Sequence, residues 1–413
     1  MPCHSNVTII AHTFRNAIRA TNWALTMKPS FSTLAFSFLR RFLQSIYFAL
    51  ASFFLISAST GALASDAPLV VGQAIDLSGP NGSIGRDYVA GITTYFDSIN
   101  TTGGVRGRRI KYIARDDQGD PNASAKAVTE LIQKEKVDFL LGGIGANVTD
   151  AVIASPAFAQ SDLTLFAPLV ASVKTYSSRV LFWRPNPEQE MKYIFSYFDK
   201  LGIKKIGIAF QNSAFSQDMY QYVVDEIRRR NMTMSGVVKL GMTEAVVEAE
   251  VAALAKAEPN IVISIADTLG TGQFLKVFRK YAPKTFVAGT SLTNLQTLAE
   301  LTNAQSLEWT VFSQVVPNPT GKKSLLQIDH SKMMKKFRDE ALSTLTLEGY
   351  AVAKTLVQAI QSGRPSRDAL NTLTNQGNGL DLGGFIINPS DRSRHLSNYI
   401  DIALFKKGGG LTF

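Results

Sequence analysis

The amino-acid sequence predicts an α/β fold made of doubly wound parallel sheets, and three observations lead to that prediction. From Pro68 onward, short apolar runs alternate with longer amphipathic stretches, and strands that alternate with helices form parallel sheets covered by helices on both faces. Residues 68–180 and 203–313 each contain several such strand–helix units. Residues 65–413 are also too many for a single hydrophobic core. We therefore expect two lobes, each built on its own sheet.

The predicted elements alternate in order along the chain. Strands are expected at residues 69–72, 109–114, 137–141, 163–166, 205–210, 261–265 and 286–288. Helices are expected at residues 88–100, 123–134, 190–201, 216–230, 244–257 and 273–281. Residues 183–187, Trp-Arg-Pro-Asn-Pro, hold two prolines between the two blocks and predict a crossing between lobes. Ligands bind beyond the carboxyl ends of parallel strands, so the predicted site is the cleft where the two sheets face each other.

The first 64 residues have the composition of a secretory leader. They contain five basic residues and no Asp or Glu, and Arg40-Arg41 precedes an apolar run over residues 46–56, which is followed by Ala62-Leu63-Ala64. A charged start, an apolar run and an A-x-A site form the order of a signal peptide, so we expect export and cleavage after Ala64. The alternative, a membrane anchor, needs a longer run of about 20 apolar residues.

The rest of the chain contains few of the residues that catalytic or metal sites need. Cys3, the only cysteine, lies in the leader, and His330 and His395 are the only histidines beyond it. This excludes His/Cys metal clusters and most pairs of nucleophile and base, so we expect neither a cofactor nor a metal. The basic cluster at residues 228–230 ends a predicted helix, where cations interact favourably with the helix dipole, so no nucleic-acid partner is expected.

Residues 137–150 carry the most informative local pattern, a strand followed by a glycine-rich turn and the start of a helix. Glycines let the backbone approach a bound group, and the free N–H groups of a helix's first turn attract an anion such as a carboxylate. Three interpretations stay open: ligand-anion binding, plain turn geometry and nucleotide binding. For a nucleotide, the pattern lacks the third glycine and the acidic residue after the next strand.

Two further polar loops follow predicted strands. Residues 77–85 are small and polar and belong on the same rim of the cleft. The acidic run at residues 116–120 could suggest a metal loop, but Asp120 directly before Pro121 suits the N-cap and first position of a helix, so capping is favoured. No Walker loop, G-x-S-x-G elbow or H-E-x-x-H motif is present, and we do not expect an enzyme.

Together these residues resemble a known family. Leu77-Ser78-Gly79, residues 100–108, Asp116-Asp117 and Asp120-Pro121 are similar to the type I periplasmic solute-binding proteins of ABC transporters, in the branched-chain amino acid (leucine/isoleucine/valine) binding protein family. The resemblance covers essentially everything after the leader. It implies two doubly wound lobes joined by three hinge crossovers, closure of the hinge on a ligand, and delivery of that ligand to permease subunits in the inner membrane.

The resemblance also implies how the chain is divided. Residues 1–64 would form the signal peptide, residues 65–185 and 314–384 lobe 1, and residues 186–313 and 385–413 lobe 2. The protein is then expected to be a periplasmic monomer that captures an amino acid, an amide or a small carboxylate. The alternative is a ligand-sensing regulatory protein of the same fold with a cytoplasmic partner, against which the signal peptide argues.

In lobe 1, the family's ligand-contacting positions carry over to two turns and one wall. The turn that grips the ligand's carboxylate falls on Ala146 and Asn147, and a second ligand loop includes Val170 and Ala171. The hydroxyl side chains that usually hold the carboxylate are missing at both places. The wall of lobe 1 falls on Ile84, and the adjacent Ser83 lies on the same loop.

In lobe 2, Phe215 falls on the aromatic position that stacks on the ligand. Thr290 falls where the family has the acidic partner of the ligand's ammonium, and Asp267 lies at the neighbouring strand end. We therefore predict that the ligand is not a standard aliphatic α-amino acid and that Asp267 and Phe215 form its grip in lobe 2. The alternative is that Asp267 only caps the helix that follows it.

Overall fold

A computed structural model describes residues 67–170, 176, 178–211, 214–362, 369–373, 379–387, 394–407 and 410–413. For residues 214, 215, 371 and 372 it describes the backbone alone. The predicted signal peptide lies outside the described residues, as does Ala171.

The chain alternates strands and helices as predicted, and its first block ends at the first crossing. In order, this block contains β1 (Leu69–Ile75), α1 (Gly82–Thr101), β2 (Ile110–Asp116), α2 (Pro121–Gln133), β3 (Phe139–Leu141), α3 (Ala146–Ala154), α4 (Pro156–Gln160), β4 (Leu165–Phe166) and β5 (Val180–Leu181). The second block contains α5 (Pro187–Lys200), β6 (Lys205–Gln211), α6 (Ala214–Arg229), β7 (Thr233–Leu240), α7 (Glu244–Lys256), β8 (Ile261–Ile265), α8 (Thr268–Tyr281), β9 (Phe286–Gly289), α9 (Leu295–Leu301), α10 (Ala304–Leu307) and β10 (Thr310–Gln314).

The last part of the chain returns to the first block and then adds strands to the second. It contains α11 (Leu325–Phe337), α12 (Thr344–Ser362), α13 (Ala369–Leu373), β11 (Leu380–Asp381), β12 (Ile386–Ile387), β13 (Asp401–Phe405) and β14 (Leu411–Thr412). Helix α12 packs against α1. Phe385 and Ile387 lie in the core of the first sheet, although the predicted return to lobe 2 begins at residue 385.

The two predicted sheets are confirmed. The first has the order β2-β1-β3-β4-β5, and all its neighbouring strands are parallel. The second has the order β14-β13-β10-β9-β8-β6-β7 and is parallel except for β13 and β14, which add an antiparallel edge that the sequence analysis did not predict. Each sheet has a hydrophobic core on both faces, which is the doubly wound arrangement.

In the described part of the chain, the stretches that connect the sheets lie at residues 182–186, 315–324 and 394–400. The first and third pair with each other, because Phe182 N–H donates to the Arg394 carbonyl at 2.9 Å and Leu396 N–H donates to the Phe182 carbonyl at 2.9 Å. The Phe182 ring stacks on His395 with ring centroids 4.6 Å apart. The connections are thin, so movement of one sheet against the other is the physical expectation.

Helices α1 and α12 cross with their backbones in contact. A Cβ atom added at Gly349 would lie 2.1 Å from the Tyr88 carbonyl oxygen, and one added at Gly91 would lie 2.0 Å from the Thr346 carbonyl oxygen. Neither carbonyl belongs to a flexible side chain, so the helices themselves would have to move apart. Glycine at these two positions therefore sets the distance between the helices.

We expect Gly349→Ala to lower the free energy of unfolding by about 1–3 kcal/mol, the usual effect of forcing a group into a packed core. Urea denaturation measures it. The matched control is Gly272→Ala in α8, where an added Cβ meets its nearest neighbours at 3.5 Å; there the better helix propensity of alanine should leave stability equal or higher. Equal effects of the two substitutions would contradict the close helix contact.

His330 on α11 gives stability a dependence on pH. Its Nε2 lies 3.1 Å from the Thr346 hydroxyl, its buried Nδ1 has no hydrogen-bond partner among the described residues, and burial lowers the pKa of His330 from 6.5 to about 4. The native state thus binds this proton less readily than the unfolded state. Stability is retained above pH 6.5 and is lost as the pH falls from 6.5 to about 4, by roughly 3 kcal/mol in full.

We therefore expect His330→Gln to lose less stability than the wild type between pH 7 and pH 4.5. Urea denaturation at several pH values gives the difference between the two proteins, in which the titration of the shared carboxylates cancels. Parallel stability curves would show that His330 does not titrate in this range.

Candidate ligand-binding site

The glycine-rich turn after β3 leads directly into the open amino end of α3. Gly145, with φ +105°, is the N-cap residue and supplies no capping side chain, while its own N–H donates to the Leu169 carbonyl at 2.9 Å. A positive φ is what glycine allows without strain. The helix leaves the N–H groups of Ala146, Asn147 and Val148 without partners inside α3, and these residues line a cavity of about 200 Å³.

The loop after β1 is held in place by a buried carboxylate that sequence analysis missed. Asp76 accepts hydrogen bonds from Gly79 N–H at 2.6 Å and from Asn81 N–H at 2.9 Å. This local pattern of an Asp accepting from the backbone three residues later is a turn signal. The loop held in this way brings Asn81 and the predicted wall residue Ile84 to the cleft.

From the second sheet, Asp267 follows β8 and caps α8. One carboxylate oxygen accepts from Gly270 N–H at 2.6 Å, and the other accepts from Gln211 Nε2 at 3.0 Å. Gln211 is also fixed, since its carbonyl oxygen accepts from Asp267 N–H at 3.0 Å. The capping role is confirmed, and Asp267 at the same time lines the 200 Å³ cavity together with the amino end of α3.

A second cavity adjoins the first and is lined mainly by apolar side chains. It has a volume of about 30 Å³ and shares Asn81, Ile144 and Asp267 with the larger cavity. Its remaining lining residues are Ile84, Met191, Met219, Ser264, Ile265, Ala266, Thr290 and Leu292. Residues after β1, β3, β8 and β9 therefore meet here, which is the predicted location at the carboxyl ends of parallel strands.

The predicted site residues fall into three groups: residues that line a cavity, residues that contact other parts of the protein, and residues whose side chains lie outside the described part of the chain. The structure brings Ile84, Asp267 and Thr290 together around the smaller cavity and Ala146, Asn147 and Asp267 around the larger one. Val170 is buried behind Ala146 in an apolar cluster, and the carbonyl of Ser83 accepts from Asn294 Nδ2 at 3.1 Å. Ala171 and the side chain of Phe215 lie outside the described residues, so their roles stay predictions.

A buried ion pair lies directly behind the cleft. Arg184, on the first connection, makes two hydrogen bonds of 2.7 Å to the Glu348 carboxylate on α12, and its third nitrogen donates to the Ser291 hydroxyl at 3.0 Å. Glu190 in turn accepts from Ser291 N–H at 3.2 Å and from Ser313 at 2.7 Å. Since Ser291 stands between Thr290 and Leu292, this network supports the floor of the cleft. Sequence analysis did not find it.

Asp87 on α1 stands at the rim of the cleft beside Asn294. Burial raises the pKa of Asp87 above its usual value, and the hydrogen bonds from Ser343 and Asn294 oppose that rise.

In the described part of the chain, no three His, Cys, Asp or Glu residues cluster as a metal site would require. The acidic run at residues 116–120 caps α2 as predicted, because Asp120 accepts from Ala123 N–H at 2.7 Å. Of the described helices, none has the length and apolar character needed to span a bilayer.

Two parallel sheets whose carboxyl ends meet at one cleft, with thin connections between them, define a two-lobed ligand-binding protein. Comparison with known proteins agrees. The family model described as periplasmic binding protein matches residues 68–408, and the chain belongs to that family.

Individual relatives are distant. The chain is 24% identical over 310 residues to Leu/Ile/Val-binding protein homolog 1 of Brucella melitensis, covering 72% of this chain and 79% of that one. A substrate-binding periplasmic protein from Ralstonia solanacearum superposes with a TM-score of 0.76 at 23% identity, over 83% of this chain and 99% of that one. A branched-chain amino acid transporter substrate-binding protein from Streptococcus pneumoniae, solved with isoleucine, gives 0.72 at 15% identity, over 84% and 98%. These structures establish the type I periplasmic binding protein fold.

Proposed function

We propose that the protein captures a small organic ligand in the cleft and delivers it to the permease subunits of an ABC importer in the inner membrane. The ligand class is an amino acid, an amide or a small carboxylate. One observation carries the proposal: the first residues of α3, whose backbone N–H groups have no partner within that helix, and the Asp267 carboxylate, from opposite sheets, line the same cavity. The N–H groups of α3 suit a hydrogen-bond acceptor of the ligand, and the Asp267 carboxylate suits a hydrogen-bond donor.

The apolar side chains around the cavity of about 30 Å³ next to this polar pair suit contact with a small apolar group of such a ligand. Ile84 and Leu292 come from different sheets, and Met191 and Met219 are unbranched side chains that adapt to irregular shapes. Burial of apolar area supplies affinity, while the few polar groups fix orientation. Polar groups of both lobes thus contact the ligand, and apolar side chains contact a smaller part of it.

We further propose that a standard aliphatic α-amino acid is not the ligand. The Asp267 carboxylate already accepts hydrogen bonds from Gly270 and Gln211, which offset part of its charge. Thr290 has a neutral hydroxyl, and a buried ammonium without a full countercharge is severely penalised. A neutral amide or another hydrogen-bond donor needs less compensation at this position.

The cellular setting follows from the family and the leader. We propose removal of the signal peptide between Ala64 and Ser65, a monomer in the periplasm, and no chemical change of the ligand. The Leu/Ile/Val-binding homolog of Brucella melitensis and the isoleucine complex from Streptococcus pneumoniae support uptake of amino-acid-like compounds. N-terminal sequencing of the exported protein tests the cleavage.

Thermal-shift screening of the mature protein tests the proposed function. Amino acids, primary amides, short-chain carboxylates and aromatic acids are the compounds to compare. A compound present at a hundred times its Kd should stabilise the native state by about 2.7 kcal/mol and raise the melting temperature, while leucine should give little shift. Tight binding of leucine would contradict the ligand class, and no stabilisation by any member of these classes would contradict the proposed function.

A further inference from the structure

Asn294 occupies the amino end of α9, where its side chain makes hydrogen bonds in two directions. Its carbonyl oxygen caps α9 by accepting from Gln296 N–H and Thr297 N–H, both at 3.1 Å. Its amide nitrogen points away from α9 and donates to the Ser83 carbonyl at 3.1 Å and to the Asp87 carboxylate at 3.3 Å. The backbone N–H of Asn294 is held as well, since it donates to the Thr268 hydroxyl at 3.0 Å.

The two acceptors lie in the lobe of the first sheet, whereas the donor lies in the lobe of the second sheet. Ser83 and Asp87 lie on α1, which packs on the first sheet, and Asp87 is fixed there by the Ser343 hydroxyl at 2.7 Å. Asn294 is fixed to the second sheet by its cap and by Thr268. Both bonds of the amide nitrogen therefore cross between the lobes, close to Ile84 and Leu292 at the cleft.

We propose that the Asn294 carboxamide is an interlobe latch that stabilises the closed cleft without touching the ligand. If the lobes separate, the cap of α9 moves with its own lobe and stays intact, whereas both bonds to α1 must break. A bond to a carboxylate is stronger than one between neutral groups, so the latch favours closure. The link between closure and ligand retention depends on the proposed function, but the latch itself does not.

Asn294→Asp separates the two tasks of this side chain. Aspartate is as good an N-cap as asparagine, so α9 keeps its cap. The donor is lost, and a second carboxylate is placed beside Asp87. Asn294→Ser is a second variant that also keeps a capping oxygen but is too short to reach α1, and it serves if the aspartate variant does not fold.

The lobe separation can be measured without any ligand. The chain has no cysteine beyond Cys3, so spin labels can be attached to a mature protein carrying Lys126→Cys on α2 and Gln273→Cys on α8, both exposed helix positions. Electron–electron double resonance then gives the distribution of distances between the lobes. We expect Asn294→Asp and Asn294→Ser to lower the ratio of closed to open molecules about tenfold, as loss of a charged hydrogen bond predicts.

Two further proteins make the test specific. Asn303→Asp makes the same change at the cap of α10, where Asn303 accepts from Ser306 N–H at 2.8 Å, and should leave the distances unchanged. Combining Asn294→Asp with Asp87→Asn reverses the donor and acceptor across the lobes and should restore part of the closed population. Recovery is only partial because the Ser83 carbonyl loses its donor and the Ser343 hydroxyl loses the carboxylate oxygen to which it donates.

The outcome is decided by the distance distributions alone, so a failed ligand screen does not affect it. A loss of closed molecules in both Asn294 variants, but not in the Asn303 variant, supports the latch. Distributions that match the wild type, a wild type with no closed population, or an equal loss in the Asn303 variant would overturn it.

Discussion

Glu348→Gln is expected to lower the free energy of unfolding by about 3–5 kcal/mol, because it leaves the Arg184 guanidinium buried without its countercharge. The side chains of Arg184 and Glu348 are 4% and 2% exposed and are joined by two hydrogen bonds of 2.7 Å. An arginine cannot escape the cost by losing its proton. Urea denaturation followed by tryptophan fluorescence measures the change, with Trp183 adjacent to Arg184.

The matched control is an ion pair whose carboxylate is partly exposed. Asp97 pairs with Arg338 at 2.5 Å, but its side chain is 41% exposed, so Asp97→Asn should cost less than about 1 kcal/mol. Replacing both buried partners, with Arg184→Met and Glu348→Leu, should recover part of the lost stability because neither member of the pair is then left alone, while the buried Glu190 carboxylate keeps its hydrogen bonds from Ser291 and Ser313 but loses its attraction to Arg184. A Glu348→Gln variant as stable as the Asp97→Asn variant would contradict this account.

Asp267→Asn is expected to weaken ligand binding more than tenfold. Loss of one partner of a desolvated charged hydrogen bond costs on the order of 2–5 kcal/mol, and Asp267 lines both cavities of the cleft. The melting temperature of the ligand-free protein should fall only slightly, because asparagine caps a helix as well as aspartate does and only the part-buried hydrogen bond from Gln211 Nε2 is lost. Calorimetric titration with the compound that gives the largest thermal shift measures the affinity.

The control for this change is Asp120→Asn. Asp120 also caps a helix, accepting from Ala123 N–H at 2.7 Å, and its side chain is exposed. Its substitution should leave the affinity unchanged. Unaltered binding by the Asp267 variant, or equal weakening by both variants, would mean that Asp267 serves α8 alone.

The sequence determined those features that depend on neighbours along the chain. The alternation of apolar and amphipathic runs predicted two doubly wound sheets, because the spacing of apolar residues within each element indicates which of its faces is buried. Asp120 before Pro121 predicted a cap, and the glycine-rich turn predicted the open amino end of α3, since both depend on contacts within three or four residues. The family resemblance, rather than a local pattern, pointed to Asp267, which lines both cavities of the cleft.

Only the tertiary structure decided which distant residues meet. Gln211 orients Asp267 from 56 positions away, and Glu348 neutralises Arg184 from 164 positions away. Asn294 reaches Asp87 across 207 positions. A polar residue carries no local mark of its partner, because the hydrogen bond forms only after the sheets and their connections have brought the two elements together.

The same reason explains the helix crossing and the antiparallel edge. Gly91 and Gly349 look like unfavourable residues in two helices until the backbones are seen to touch there. Residues 401–405 have the pattern of a strand, but nothing in that pattern says that they pair antiparallel with β10. The sequence by itself therefore determined the class of fold and the edge of the sheets where a ligand binds, whereas long-range packing decided the contacts that hold the cleft together.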